Sequence, residues 1–199
     1  MREILNSTED KLSAYKQQLF DALCRNNAID GLDYNPNDYK EKNKIDRDIY
    51  WETFRNNNKL AVEIADNDTS FRIYRANKWY KSADINEDGY YFYVELKFDE
   101  NNPQKVLFQE VANRYGKSDK NIVTKFIKCT NFDNLKNSKL KDVGRWFVFS
   151  AKEFESRHEI LSKEWQEELF STARQTLSEF IVEMDSIYNK FNEWCKTIN

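Results

Sequence analysis

The stretch that decides the fold is GYYFYVELKF, residues 89–98, which is rich in aromatic and β-branched residues. Such side chains fit the pleated surface of a strand, and here they alternate in character along the chain. The alternation gives an apolar set, Phe92, Val94, Leu96 and Phe98, and an amphipathic set, Tyr91, Tyr93, Glu95 and Lys97. One apolar and one amphipathic face predict a strand of an antiparallel sheet that is covered on one side.

Four further segments have the composition of strands. Residues 60–65 and 70–75 flank the turn-rich tetrapeptide DNDT and predict a β-hairpin. Residues 122–129 and 145–150 predict the last two strands, which a lysine-rich loop separates. Together with residues 89–98, they predict an antiparallel sheet of about five strands.

Two helical patterns accompany these strands. Residues 8–25 carry apolar side chains at spacings of three and four, as on one face of an amphipathic helix. A second helix is predicted over residues 102–116. Asn102 would be its N-cap, Pro103 its first residue, and Gly116 would follow its end.

The C-terminal region predicts a long amphipathic helix. Ser150 and Glu153 have the spacing of a capping box, and a single helix over residues 152–198 would reach roughly 70 Å. Its apolar residues follow heptad spacing. This heptad seam consists of Ala173, Leu177, Phe180, Met184, Ile187, Phe191, Trp194 and Ile198.

So long a straight helix exceeds the diameter of its own domain, which leaves three alternatives open. The helix breaks near Ser162, its far half packs on the first helix, or it pairs with another chain. Under the last alternative Phe180, Phe191 and Trp194 bind a partner protein or a second copy of the chain in a homodimer.

These elements predict the α+β class: an antiparallel sheet of about five strands, helices on one face, and a long C-terminal helix. We expect an α+β domain with the N-terminal helix over residues 1–150. Residues 151–199 would form the C-terminal helix, packed on that domain or on a partner.

Composition excludes several classes of function. Among 199 residues, 33% are charged and 15% are aromatic, and the aromatic share disfavours disorder. No apolar run approaches a membrane span and no secretory stretch is present, so we expect a cytoplasmic protein with no membrane partner. Three cysteines without metal-site spacing fit reduced thiols, and the single His158, expected on a helix face, removes most histidine-dependent schemes. No cofactor is expected.

The net charge of −3 is unevenly distributed. Residues 114–150 carry nine basic and three acidic side chains, whereas residues 151–199 carry six basic and ten acidic ones. The basic segment is either a solvated face that balances its neighbours or a contact surface for nucleic acid or an acidic protein. Its candidate binding residues are Lys136, Lys139, Lys141 and Arg145.

One pattern points to chemistry. Asp84 followed by Glu95-Leu96-Lys97 resembles the signature of the PD-(D/E)XK restriction-nuclease superfamily. The resemblance implies Asp84 and Glu95 as Mg²⁺ ligands and Lys97 as the residue that positions water. Residues i and i+2 of a strand do share a face, as this chemistry requires. The alternative is a cross-strand ion pair at Glu95, since an E-x-K triplet is common in a chain so rich in charge.

The order of elements from Tyr50 onward is also similar to uncharacterised α+β domains of prokaryotic restriction-like and mobile-element proteins. The resemblance is carried by YWETF, VELKFD, LFQEV, RWFVF and SKEWQEEL. It implies a phage or bacterial defence setting and assigns no catalytic residue. The sequence thus predicts a non-enzymatic module that binds a partner protein or complex. The alternatives are a Mg²⁺-dependent nuclease and a nucleic-acid binder that uses residues 114–145.

Overall fold

The structure, a computed structural model, describes residues 2–26, 28–30, 32, 60–65, 69–81, 89–99, 102, 105–115, 125–126 and 146–198. Its helices and strands are α1 (Arg2–Cys24), β1 (Leu60–Ala65), β2 (Ser70–Lys81), β3 (Gly89–Phe98), β4 (Val106–Tyr115), β5 (Trp146–Phe154) and α2 (Lys163–Ile198). Among these described helices, none carries the sustained apolar stretch that a bilayer crossing would require.

The five strands form one antiparallel sheet in the order in which they occur along the chain. β3 lies at its centre, between β2 and β4, and pairs with β4 over its full length from Gly89 to Phe98. The α+β class, the antiparallel sheet and the hairpin of β1 and β2 are therefore confirmed. The predicted first helix is confirmed as well, and it begins earlier than expected.

The helix predicted over residues 102–116 is wrong, because residues 106–115 form β4. Asn102, predicted as the N-cap, instead lies in the connection between β3 and β4, and Pro103 lies outside the described residues. The Asp99 carboxylate accepts the Asn102 N–H at 3.1 Å, and the Lys105 N–H donates to the Asn102 carbonyl at 2.8 Å. Asn and Asp serve turns as readily as N-caps, and ten residues of pairing with β3 favour the strand.

The start predicted for the long helix is also wrong. Ser150 and Glu153 lie in β5, where they pair with Glu110 and Leu107 of β4, so they form no capping box. The expected domain boundary after residue 150 therefore falls inside a strand. The helix α2 begins after Ser162, where a break was one alternative, and its 36 residues span about 54 Å.

The N-terminus of α2 is capped by a side chain. Ser162 Oγ accepts the backbone N–H of Trp165 at 3.2 Å. We expect Ser162→Ala to lower the free energy of unfolding by about 1 kcal/mol, because it leaves this N–H without its cap. Ser178→Ala is the matched control, since the Ser178 hydroxyl donates to the Arg174 carbonyl within the helix and its loss is close to neutral. Urea unfolding measures both, and equal effects would contradict the role of Ser162.

Both helices pack on the apolar face of the sheet. Phe20 of α1 stacks on Phe71 of β2 with ring centroids 5.2 Å apart, and Phe92 of β3 contacts the rings of Tyr188 and Phe191 on α2. The two helices meet where the Tyr15 hydroxyl donates to the Gln166 carbonyl at 3.2 Å. The sheet and the helices thus share one core.

This core contains the heptad seam. Its members from Ala173 to Phe191 are buried, and Trp194 packs against the same cluster. Of the residues predicted to bind a partner or a second copy, Phe180 and Phe191 are therefore core residues, and Trp194 is partly buried against the core. The seam is covered because α2 lies along the sheet, where Phe191 contacts Phe92 of β3.

Residues 125 and 126 are helical, in contrast to the strand predicted over residues 122–129. The rest of that prediction, the lysine-rich loop and Asp84 lie outside the described residues.

Candidate functional site

The sheet face opposite the helices carries the predicted E-x-K pair, and we call it the second sheet face. Because neighbouring strands are in register, its side chains form rows across β2, β3 and β4. The rows are Tyr74, Tyr93 and Val111; then Arg72, Glu95 and Gln109; then Ser70, Lys97 and Leu107. The first row is buried throughout, and Glu95 and Ser70 are buried in the other two rows, whose remaining members are half-buried.

Glu95 is held by a cation from the neighbouring strand. Arg72 Nε donates to Glu95 Oε1 at 2.7 Å, and the side chains are only 11% and 5% exposed. The guanidinium also lies 5.2 Å from the centroid of the Tyr93 ring, which in turn packs on Tyr74. Burial alone would lower the pKa of Arg72, but Tyr93, Glu95 and Tyr74 raise it above its ordinary value, so the arginine stays charged.

Part of the pattern on which the nuclease interpretation depends lies on the second sheet face. Glu95 and Lys97 share the second sheet face, as their spacing predicts, while Asp84 lies outside the described residues. Gln109, expected on a following helix, lies on β4 directly opposite Glu95. In the described part of the chain, no three His, Cys, Asp or Glu side chains are grouped to hold a metal. The geometry present at Glu95 is the cross-strand ion pair.

The basic residues predicted to bind, Lys136, Lys139, Lys141 and Arg145, lie outside the described residues. From the same segment the structure describes Lys125, which is exposed. The nucleic-acid interpretation therefore stays a prediction.

The outward face of α2 carries a second group of charged side chains. Helical periodicity places Glu164, Glu168, Glu179 and Glu193 in line with Val182, and all five are exposed. We call these five residues the acidic stripe. Val182 is 70% exposed, which sets it apart from the other large apolar residues whose burial the structure describes. Sequence analysis missed Val182, although its position opposite the heptad seam gave the signal.

Glu110 is a further candidate functional residue, which sequence analysis did not identify. Because residues 106–115 form a strand, its side chain shares the helix-covered face with Phe108 and Ala112, and it is 2% exposed. Its Oε1 has no hydrogen-bond partner among the described residues. Burial, and after it the negative charge of Glu183 on α2, raise the pKa of Glu110 to about 8.

A shallow depression of about 340 Å³ lies between β5 and α2, lined by Glu155, Ser156, Arg157, His158 and Glu168. The Ser156 hydroxyl donates to Glu168 at 2.5 Å, and the backbone N–H of His158 donates to Ser156 Oγ at 3.1 Å. His158 thus lies in a connecting loop, and its predicted place on a helix face is wrong because α2 begins later. The first hydrogen bond joins the loop to α2, and the second lies within the loop.

Comparison with known proteins gave no match: no family model matches the chain, and neither a curated protein nor a solved structure does.

Proposed function

We propose that this chain is a non-enzymatic protein-binding module whose contact surface is the acidic stripe of α2. The observation that carries the proposal is Val182, 70% exposed in line with four exposed glutamates on a helix whose opposite face is fixed in the core. An apolar side chain within a charged row suits an interface with an apolar centre and a polar rim. The expected partner surface is an apolar pocket bordered by Lys and Arg.

The position of the stripe supports a binding role on energetic grounds. Seam residues such as Phe191 anchor α2 to the sheet along its length. A helix that is already ordered loses little conformational entropy when a partner docks, so more of the contact energy appears as affinity. The negative charge of the four carboxylates would also raise the rate of association with a basic surface.

The Arg72–Glu95 pair favours this proposal over the nuclease alternative. Mg²⁺ requires oxygen ligands that are free to coordinate, and Glu95 Oε1 accepts a short hydrogen bond from a guanidinium. A metal at Glu95 would have to displace Arg72 and leave that cation without its counter-ion in a nearly buried position. Burial of the heptad seam likewise favours a different protein as partner over a second copy bound through the seam.

The resemblance of the sequence to restriction-like and mobile-element domains supports a partner from phage or bacterial defence. Under this proposal the module acts by occupying a surface of that partner, and it needs no cofactor.

The test compares Val182→Arg with a matched control, Gln18→Arg, which adds the same charge at an exposed position of α1. Tagged proteins are incubated with nuclease-treated lysate of the source cells, and the recovered proteins are quantified. We expect a protein recovered by the wild type and by Gln18→Arg to be reduced about tenfold or more with Val182→Arg, as at the centre of an interface.

Equal recovery by all three proteins would contradict the acidic stripe as the contact surface. Loss of all recovery after nuclease treatment would instead favour the nucleic-acid alternative. Cleavage of DNA or RNA in Mg²⁺ that disappears in Glu95→Gln and in Lys97→Ala would replace the proposal with the nuclease alternative.

A further inference from the structure

We propose that Glu110 is a proton-dependent clamp between the sheet and α2: the protonated carboxyl allows α2 to pack on β4, and loss of the proton weakens that contact. The proposal concerns the fold itself and stands independently of the binding function proposed for the acidic stripe.

The geometry around Glu110 favours the neutral form. Its neighbours along β4 on the same face are Phe108 and Ala112, and its partners across the sheet are Val94 on β3 and Ser150 on β5. A carboxylate in such a position loses its hydration, and Oε1 receives no hydrogen bond from the described residues in exchange. The charged form is therefore penalised, whereas the neutral acid is accommodated.

Among the described residues, charged groups approach Glu110 from α2 and from β5. On α2, Glu183 is exposed and its charge opposes ionisation of Glu110. On β5, Lys152 lies two residues from Ser150 on the same face, but its Nζ donates to Thr176 Oγ1 of α2 at 3.3 Å. On β3, the residues of this face that are known to be buried, Phe92, Val94, Leu96 and Phe98, are apolar. Tyr188 of α2 has a pKa of about 12, raised by burial and by Cys195, and titrates outside the relevant range.

The pH dependence follows from the difference between the folded and the unfolded chain. In the unfolded chain Glu110 ionises near 4.5, and in the folded chain near 8. Between these values the folded state holds a proton that the unfolded state has released, so stability decreases as pH rises. Below about 4.5 and above about 8 both states carry the same charge at this residue, and its contribution becomes constant.

The first experiment is urea unfolding of the full chain from pH 5 to 9, with the wild type, Glu110→Gln and Glu193→Gln. Glu193 is an exposed carboxylate of the same helix and serves as the matched control. Relative to Glu110→Gln, the folded-to-unfolded ratio of the wild type should fall by about tenfold for each pH unit between about 5 and 7.5, and level off above about 8. Glu193→Gln should follow the wild type.

The second experiment locates the effect. Hydrogen exchange, corrected for the intrinsic rate at each pH, should show that protection of residues 176–188 falls between pH 6 and 8.5 more than protection of β2 and β3. The same decrease should be absent in Glu110→Gln. In Glu183→Gln the decrease should be complete at a lower pH, because removal of that charge favours ionisation of Glu110.

Parallel pH profiles of the wild type and Glu110→Gln would overturn the proposal. If Glu110→Gln fails to fold, carbon-13 NMR of the glutamate carboxyls of the wild type decides the matter. One carboxyl should titrate near 8, and its midpoint should move down in Glu183→Gln. A wild type in which every glutamate titrates below pH 6 would also overturn it.

Discussion

Replacing Phe191 with alanine is expected to lower the free energy of unfolding by about 3–5 kcal/mol. The side chain is fully buried, and its ring packs against Phe92 of the sheet, Phe126 and Trp194. Truncation removes these contacts and leaves a cavity between α2 and the sheet, which a well-packed core cannot fill by relaxation. Urea unfolding followed by circular dichroism measures the loss.

Val182→Ala is the matched control, since it truncates an exposed residue of the same helix and should change stability by less than about 0.5 kcal/mol. Light scattering separates the core role from the homodimer predicted through the seam. A core role leaves the molar mass of folded Phe191→Ala equal to that of the wild type. A wild-type dimer that becomes a stable, folded monomer in this variant would contradict it.

The sequence predicted correctly those helices and strands whose own apolar residues are regularly spaced. Residues 89–98 alternate strictly, and the described structure confirms both the strand and its apolar face. The seam from Ala173 onward likewise predicted a helix and its buried side. In each case the apolar residues recur with the period of the element and so identify it. The predicted coverage of the strand on one side only is wrong, because Tyr93 and Glu95 of the second sheet face are buried as well.

Two of the errors in the fold share one physical cause. Residues 102–116 and Ser150 with Glu153 carry helix-start signals that are equally compatible with a turn or a strand. Pairing with residues outside the short segment that carries the signal decided both: β4 pairs with β3 over ten residues, and β5 pairs with β4 through Ser150 and Glu153. Such non-local pairing is not encoded in any short window of sequence.

For the candidate sites as well, local patterns could be predicted from the sequence, whereas contacts between strands could not. The shared face of Glu95 and Lys97 follows from the period of a strand, but the partner of Glu95 depends on the register between β2 and β3. Glu110 was concealed because its burial requires β4 to be a strand beneath α2. The acidic stripe could be predicted more fully, since it is the complement of the seam on one helix.

The register between β2 and β3 places Arg72 beside Glu95, and the second large expected effect is the loss of stability when Arg72 is replaced. Arg72→Met is expected to lower the free energy of unfolding by about 3–5 kcal/mol, because Glu95 would remain as a buried charge without its counter-ion. Methionine retains much of the aliphatic volume of arginine, so the loss reports the missing cation more than missing packing. Thermal and urea unfolding at pH 7 measure it.

The double variant Arg72→Met with Glu95→Leu tests whether the loss arises from the pair. Replacing both charges with apolar side chains removes the uncompensated carboxylate, so most of the stability lost in Arg72→Met should return. If the double variant is instead as unstable as the sum of the single variants, the two side chains act independently. Mg²⁺ provides a further discrimination, because a metal ligated by Glu95 should stabilise Arg72→Met, where the carboxylate is released from the guanidinium. If the ion pair is purely structural, Mg²⁺ should change the melting temperature of neither the wild type nor Arg72→Met.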